Sequence, residues 1–209
     1  GIDKDGYFIA SDISAIIKYT NKYIVLEENE LVKLSQNDYA ITKNNKIIKK
    51  SIQSTEIDFE SITKSNYKHY MLKEIMEEEI LLEKTFNIYN DKDSLIDISK
   101  YEEIHIIGCG SAMYAGMVGK TLLEEKSNIR CYVECASEYR YKKIFYDRKT
   151  LVILISQSGE TADTIAAMRK AKENKIDTLA IVNVKTSTIA RESDYKIFIE
   201  AGKEIAVAT

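Results

Sequence analysis

The sequence predicts an α/β fold with a doubly wound parallel sheet in its second half, preceded by a β-rich segment. Short runs of apolar, mostly β-branched residues recur from residue 103 onward, and each run is long enough for one buried strand. Between these runs, apolar positions recur at helical spacing. Strands joined by helices require parallel pairing with right-handed crossovers, so we expect a flavodoxin-like sheet.

The beginning of the chain is predicted to form hairpins of short strands. The predicted strands are Tyr7–Ala10, Tyr23–Leu26, Glu30–Leu34 and Tyr39–Thr42, with turns at Glu28-Asn29 and at Lys43–Lys46. Asp12 is expected to cap a short helix that runs from Ile13 to Tyr19. Because hairpins alone bury little surface, we interpret residues 1–50 as the tail of a larger β-rich domain.

Residues 51–90 are interpreted as a polar linker followed by an interdomain helix. From Tyr67 onward, apolar residues recur at helical spacing, and Glu77-Glu-Glu79 is expected to form a solvated face of an unbroken helix. His69 lies alone on this helix, which favours a packed or solvent-facing residue over a metal or catalytic ligand.

Residues 91–209 are predicted to form one α/β domain. Its predicted strands are Glu103–Ile107, Asn128–Glu134, Leu151–Ile155, Thr178–Asn183 and Lys196–Glu200. Its predicted helices are Ala112–Glu125, Ala136–Lys142, Glu160–Glu173 and Ser187–Arg191. A ligand of such a sheet binds at the carboxyl ends of the strands, where the two turns Gly108–Ser111 and Ser156–Thr161 are expected to meet.

The stretch after the strand Leu151–Ile155 has the composition of an anion site. It contains the small and hydroxyl residues Ser156, Gln157, Ser158, Gly159 and Thr161, and a helix follows. A glycine lets the backbone approach a ligand, the first amides of the helix point toward it, and hydroxyls can donate to phosphate oxygens. The simpler alternative is a capped helix with Ser158 or Thr161 as N-cap, for which one hydroxyl suffices.

Composition excludes several classes of function. A net charge of −3 gives no electrostatic case for binding nucleic acid or an anionic membrane. No apolar run reaches the length of a membrane-spanning helix and no signal peptide is evident, so a cytoplasmic location is expected. Three cysteines are expected to be reduced thiols, and Cys131 and Cys135 without nearby histidines form a poor zinc site.

Two further features have alternative interpretations. Gly108-Cys-Gly110 resembles the start of a dinucleotide fingerprint, but Met113 stands where the third glycine is needed, which disfavours NAD. Cys109 has no evident histidine partner, so a small buried residue is favoured over a nucleophile. His105 lies among alternating residues within the first predicted strand, Glu103–Ile107, and is expected in the core.

The motif Ser156-Gln-Ser-Gly-Glu-Thr161, followed by Ala-Asp-Thr, resembles the phosphosugar-binding loop of sugar isomerase (SIS) domains. In particular it resembles the first SIS domain of the glutamine–fructose-6-phosphate aminotransferase family. Cys109-Gly-Ser111, Glu134–Arg140 and Gly202–Thr209 are also similar to segments of that family, although Ala112 lacks a hydroxyl that the family has. Gly6–Asp12 and Ile24–Glu28 resemble the end of its Ntn-type glutaminase domain.

The resemblance implies a fold, a site and an activity. Residues 91–209 would be the first SIS domain, truncated at its C-terminus, and residues 1–50 a remnant of the glutaminase domain. The substrate-binding residues it implies are Ser111, Ser156, Gln157, Ser158, Gly159, Thr161, Glu204, Val207 and Thr209. The family makes glucosamine 6-phosphate from fructose 6-phosphate and glutamine, without a cofactor.

In the family, the acid/base residues and the lysine that engages the sugar carbonyl lie in a second SIS domain and a C-terminal tail. The resemblance therefore implies that this chain is a fragment that binds fructose 6-phosphate or glucosamine 6-phosphate and holds no catalytic residue. Its implied partners are the second SIS domain and the glutaminase domain, within a homodimer. The alternative is a non-catalytic module that senses phosphosugars, because SIS domains also occur in regulators.

Overall fold

The computed structural model describes residues 1–4, 6–11, 13–36, 38–55, 63–90, 96–146 and 148–206. The chain divides into two compact units, Gly1–Ile75 (the first unit) and Met76–Thr209 (the second unit). The boundary falls inside residues 51–90, the predicted linker and interdomain helix. Among the described residues, no helix combines the length and apolar composition needed to cross a bilayer.

The first unit is built from short antiparallel strands. Its strands are β1 (Ile2–Asp3), β2 (Gly6–Tyr7), β3 (Lys22–Tyr23), β4 (Glu30–Leu34), β5 (Tyr39–Lys43), β6 (Lys46–Ile48) and β7 (Gln53–Ser54). β1 pairs with β2, β3 pairs with β7, and β4, β5 and β6 form a three-stranded sheet. Asn44 and Asn45 have positive φ angles between the paired strands β5 and β6, which confirms the predicted hairpin turn at Lys43–Lys46. Asn29 also has a positive φ, but the prediction of a hairpin there is wrong, because β3 pairs with β7 and not with β4.

Two of the predicted strands are shorter than expected. Pairing reaches only Tyr7 and Tyr23, and the side chain of Ile9 is 75% exposed. A run of apolar residues extends a strand only when at least one face of it is buried, and the side chain of Ile9 is not covered. The predicted helix is likewise reduced to a 3-10 turn at Ile13–Ala15, while its predicted cap Asp12 lies outside the described residues.

A helix is predicted from Tyr67 onward, and α1 (Tyr70–Asn90) confirms its presence. It continues without a break through Glu77-Glu78-Glu79, and His69, which precedes it, is exposed as expected.

The second unit contains a five-stranded, fully parallel sheet. Its strands are β8 (Glu103–Gly108), β9 (Arg130–Cys135), β10 (Thr150–Ser156), β11 (Asp177–Val182) and β12 (Tyr195–Phe198). Its helices are α2 (Ser111–Ser127), α3 (Ala136–Tyr139), α4 (Ala162–Glu173) and α5 (Thr188–Glu192). The strand order β12-β11-β10-β8-β9 is the flavodoxin-like order, so the predicted fold of this half is confirmed.

The central strand β10 is covered on both of its faces. Val152 and Leu154 belong to a cluster that includes residues of α3, α4 and α5, whereas Leu151 and Ile153 belong to a cluster on the opposite face. On that opposite face α2 packs closely, because a Cβ at Gly116 would lie 2.8 Å from a methyl carbon of Ile106. This two-sided burial explains why the strand has no polar residue between Leu151 and Ile155.

Helix α3 ends at Tyr139, three residues before its predicted end at Lys142. The ammonium group of Lys170, on α4, donates to the main-chain carbonyls of Tyr139, Arg140 and Lys142. These contacts hold the chain that follows Tyr139 against α4, so the helix does not continue.

Candidate functional site

The sheet order reverses between β8 and β10, and a cleft opens at the carboxyl ends of these two strands. It encloses about 160 Å³. Its walls are formed by Cys109, Ser111, Ala112, Ile155, Ser156, Gln157, Ser158, Thr161 and Glu204. This is the place where an open α/β sheet binds its ligand.

The turn after β10 can be made only with glycine at position 159. Gly159 has a φ of 64°, in the left-handed region that disfavours other residues. A Cβ added to it would lie 2.1 Å from Oγ of Ser187 and 2.6 Å from its Cβ. The carbonyl of Gly159 also accepts a hydrogen bond from the amide of Ile189 at 3.1 Å, which fixes the turn to α5.

The hydroxyls of this turn form a local network. Oγ of Ser156 accepts from the amide of Gly159 at 3.0 Å and lies 3.2 Å from Oγ1 of Thr161. Oγ of Ser158 accepts from the amide of Glu160 at 3.2 Å. Ser156 is buried, whereas Ser158 and Thr161 are half-buried, so the network connects the protein interior to the cleft.

Helix α4 begins at the cleft without a side-chain cap. Thr161 occupies its N-cap position, but its side chain makes no capping hydrogen bond. Ser158 bonds to Glu160, which precedes the helix. The alternative in which these hydroxyls only cap the helix is therefore wrong.

The turn after β8 presents Ser111 to the same cleft. Gly110 has a φ of 56°, and its carbonyl accepts from the amides of Met113 and Tyr114 at 3.1 and 3.3 Å. Helix α2 then starts at Ser111, again without a side-chain cap. Ser111 and Ala112 thus lie at the start of a second helix that opens at the cleft.

Cys109 lies in the cleft wall and is half-buried, not fully buried as expected. Its Sγ is 4.0 Å from Oγ1 of Thr164, and burial raises the pKa of the thiol. A thiol that remains protonated is a poor nucleophile, in keeping with the prediction against covalent chemistry. Cys131 is buried in a hydrophobic cluster, and the thiol of Cys135 lies 3.2 Å from Oγ of Ser137.

Most of the predicted site residues lie around this single cleft. The residues brought together are Ser111, Ser156, Gln157, Ser158, Thr161 and Glu204. Gly159 shapes the turn without lining the cleft, and Val207 and Thr209 lie outside the described residues. Cys109, Ala112 and Ile155 also line the cleft and were not predicted to, although Cys109 belongs to one of the predicted turns and Ala112 and Ile155 are adjacent to them in the chain.

A buried polar network on the α3 side of the sheet has no counterpart in the sequence-based predictions. His105 is in the core as expected, but its Nε2 lies 2.7 Å from Oε1 of Glu103 and its Nδ1 lies 3.0 Å from the hydroxyl of Tyr139. The Tyr139 hydroxyl lies 2.9 Å from that of Tyr146, and burial strongly raises the pKa of Tyr139. The partners are separated by up to 34 residues along the chain, so no local sequence pattern predicts these hydrogen bonds.

The fold and the cleft together define an α/β domain whose neutral donors are gathered at the switch point of its sheet. Four hydroxyls and one carboxamide line the cleft beside two helix N-termini. Hydroxyls and helix amides suit a phosphate group, while the carboxylate of Glu204 can accept from hydroxyls of a ligand.

The family model of the SIS domain matches residues 97–209, more than half of the chain, so the chain belongs to the SIS-domain family. The glutamine–fructose-6-phosphate aminotransferases (isomerizing) of Fusobacterium nucleatum and Clostridium tetani are each 40% identical to it over the whole chain. The chain spans about 36% of the length of these two relatives.

Solved structures agree with this assignment. The C-terminal domain of glucosamine-fructose-6-phosphate aminotransferase from Francisella tularensis is 39% identical, with a TM-score of 0.66. That match covers 70% of this chain and 44% of the solved chain. Glucosamine-6-phosphate deaminase from Thermotoga maritima is 25% identical, with a TM-score of 0.56 over 68% of this chain and 43% of the other.

Proposed function

We propose that the chain is the sugar-phosphate-binding part of an enzyme that forms glucosamine 6-phosphate from fructose 6-phosphate and glutamine. The observation that carries this proposal is the hydroxyl-lined cleft at the switch point of the sheet, built by the segment Ser156–Thr161. The 40% identity to aminotransferases over the whole chain supports the choice of enzyme over a phosphosugar sensor.

In this proposal the phosphate lies between the starts of α2 and α4. The hydroxyls of Ser111, Ser158 and Thr161 donate to its oxygens, and Ser156 holds the turn in place through its bond to Gly159. The sugar extends toward Glu204, with Val207 and Thr209 as further contacts. Because the donors are aimed at one place, binding requires little rearrangement of the turn.

The proposal assigns catalysis to other parts of the parent protein. Residues 1–50 would be the remnant of an Ntn-type glutaminase domain that supplies ammonia, and a second SIS domain would supply the acid/base groups. The complete enzyme would be a cytoplasmic homodimer that binds no cofactor. The share of the relatives' length that the chain spans, about 36%, is consistent with a part of such an enzyme.

The proposed phosphate contacts are tested by calorimetry on the 209-residue chain. The unaltered chain should bind fructose 6-phosphate but not fructose. Replacing Ser158 and Thr161 together with Ala should weaken binding by about 2–4 kcal/mol, because two donors to a charged group are lost. The matched control is Ser127→Ala with Thr121→Ala, which removes one serine and one threonine hydroxyl from α2 outside the cleft. Equal affinities for both double variants would sink the site assignment.

The absence of catalysis is tested with the same chain. Isomerisation needs a base within about 3 Å of the proton that it moves, and the proposal places that base in the second SIS domain. We expect no glucosamine 6-phosphate from fructose 6-phosphate with either glutamine or an ammonium salt. Adding a separately produced second SIS domain of a relative should restore ammonia-dependent turnover. Product formed by the chain alone would show that the catalytic groups are misplaced.

A further inference from the structure

The first turn of α4 carries an acid close to the cleft. Asp163 follows the cleft residue Thr161, the N-cap of α4, by two positions. A carboxylate there has two unfavourable effects on a bound phosphate: it repels the anion, and it can take up the first amides of the helix itself. Among the described residues that line the cleft, there is no lysine or arginine to offset its charge.

Arg140 compensates for this acid from outside the cleft. Its Nη1 donates to Oδ1 of Asp163 at 2.5 Å, and the two side chains are 32% and 36% exposed. This hydrogen bond raises the pKa of the Arg140 guanidinium, so the group remains a cation. The carboxylate is thereby neutralised and turned toward Arg140.

The position of Arg140 is fixed by its neighbours. The preceding residue, Tyr139, is fully buried and its hydroxyl bonds to His105 and Tyr146. The carbonyls of Tyr139 and Arg140 accept from Nζ of Lys170 on α4, at 3.0 and 3.3 Å. The buried network thus anchors the end of α3 on α4, which sets the guanidinium opposite Asp163.

We propose that Arg140 is a positioning residue for phosphate binding, which acts by holding Asp163 neutralised and away from the first amides of α4. This inference rests on the proposed function and goes beyond it, because Arg140 does not line the cleft. Arg140 is then needed for phosphate binding only because Asp163 is present.

A double-mutant cycle with fructose 6-phosphate, measured by calorimetry on the full chain, tests this claim. Arg140→Gln should weaken binding about 5- to 10-fold, because it leaves the carboxylate uncompensated near the ligand. Asp163→Asn should leave the affinity unchanged or tighter, and the double variant should match Asp163→Asn within about 2-fold. A merely structural ion pair would instead give similar losses in all three variants, and that pattern would overturn the inference.

Two further variants keep the outcome decisive. Arg169→Gln breaks a comparable arginine–carboxylate pair, to Glu192 at 2.8 Å, on the same helix but beyond its first turn, and should leave affinity unchanged. Arg140→Lys retains the charge and should remain within about 3-fold of the unaltered chain. A loss of about 5- to 10-fold in Arg140→Lys would overturn the inference, so it can be tested even if Arg140→Gln does not fold. Absence of binding by the unaltered chain overturns the proposed function together with this inference. Normal binding by Arg140→Gln overturns this inference alone.

Discussion

The two turns that meet at the cleft look alike in their backbone but differ in what holds them. The turn after β8 and the turn after β10 each contain a glycine with positive φ, 56° at Gly110 and 64° at Gly159. Each leads into a helix that has no side-chain cap. Around Gly110 there is open space, with no atom within 4 Å of an added Cβ, whereas Gly159 is packed against Ser187.

The difference shows which turn is preorganised. The second turn is connected to α5 twice, through the Gly159 carbonyl and through Oε1 of Glu160, which accepts from the amide of Thr188 at 2.6 Å. Its hydroxyls are also bonded to its own backbone. The first turn is stabilised by helix-start bonds to the Gly110 carbonyl. We infer that, of the two turns proposed to bind the phosphate, the second is fixed in conformation and the first is adaptable.

The largest effect is expected for Gly159→Ala in the second turn. The new Cβ would overlap Ser187, whose Oγ accepts from the amide of Ala190 at the start of α5, and the φ angle would be strained as well. Overpacking and a left-handed residue each have a cost, so we expect about 3 kcal/mol less stability in urea unfolding of the chain. Binding of fructose 6-phosphate should be lost with it.

Gly110→Ala is the matched control for that variant. It has the same kind of φ strain but meets no neighbouring atom, so only about 1–2 kcal/mol should be lost. Equal losses of stability in the two variants would mean that packing against Ser187 contributes nothing. That result would contradict the distinction between a fixed and an adaptable turn.

A smaller effect is expected for a substitution in the first turn. Ala112→Ser adds a hydroxyl to the cleft wall, at the position where the resembling family has one, and should tighten fructose 6-phosphate binding by about 0.5–1.5 kcal/mol. Ala115→Ser adds the same group to an exposed position of α2 outside the cleft lining, and should leave calorimetric affinity unchanged. If Ala112→Ser gives no gain, the first turn is a packing element only.

The features that could be predicted from sequence are those with local causes. Three local patterns can be recognised without knowing the rest of the fold: the apolar run from Leu151 to Ile155, the glycine-containing turn after it, and the helical repeat of apolar residues that follows. Because parallel strands present their carboxyl ends at one edge, the meeting of Ser111 with Ser156–Thr161 also followed from the order of elements. Glu204 was reached by resemblance alone, since nothing in its local pattern marks it.

The features that could not be predicted depend on side chains brought together from distant parts of the chain. Arg140 and Asp163 are 23 residues apart, and the early end of α3 depends on Lys170, about thirty residues further along the chain. The short strands of the first unit are a different case, because Ile9 has the residue type of a strand but no buried surface to cover. Tertiary packing determines the ion pair, the end of α3 and the length of these strands, and local propensity does not predict them.

The absence of lysine and arginine from the described lining of the cleft also sets how the site responds to dissolved ions. Sites that hold phosphate with lysine or arginine attract it from a distance, and lose that attraction as ionic strength rises and mobile ions screen the charges. Hydroxyls and amides act only at contact distance, and Glu204, the charged side chain of the described lining, is an acid, so a phosphosugar gains no electrostatic attraction from a distance. We therefore expect an affinity that changes little between dilute buffer and a concentrated cell interior, with selectivity decided by fit once the ligand has arrived.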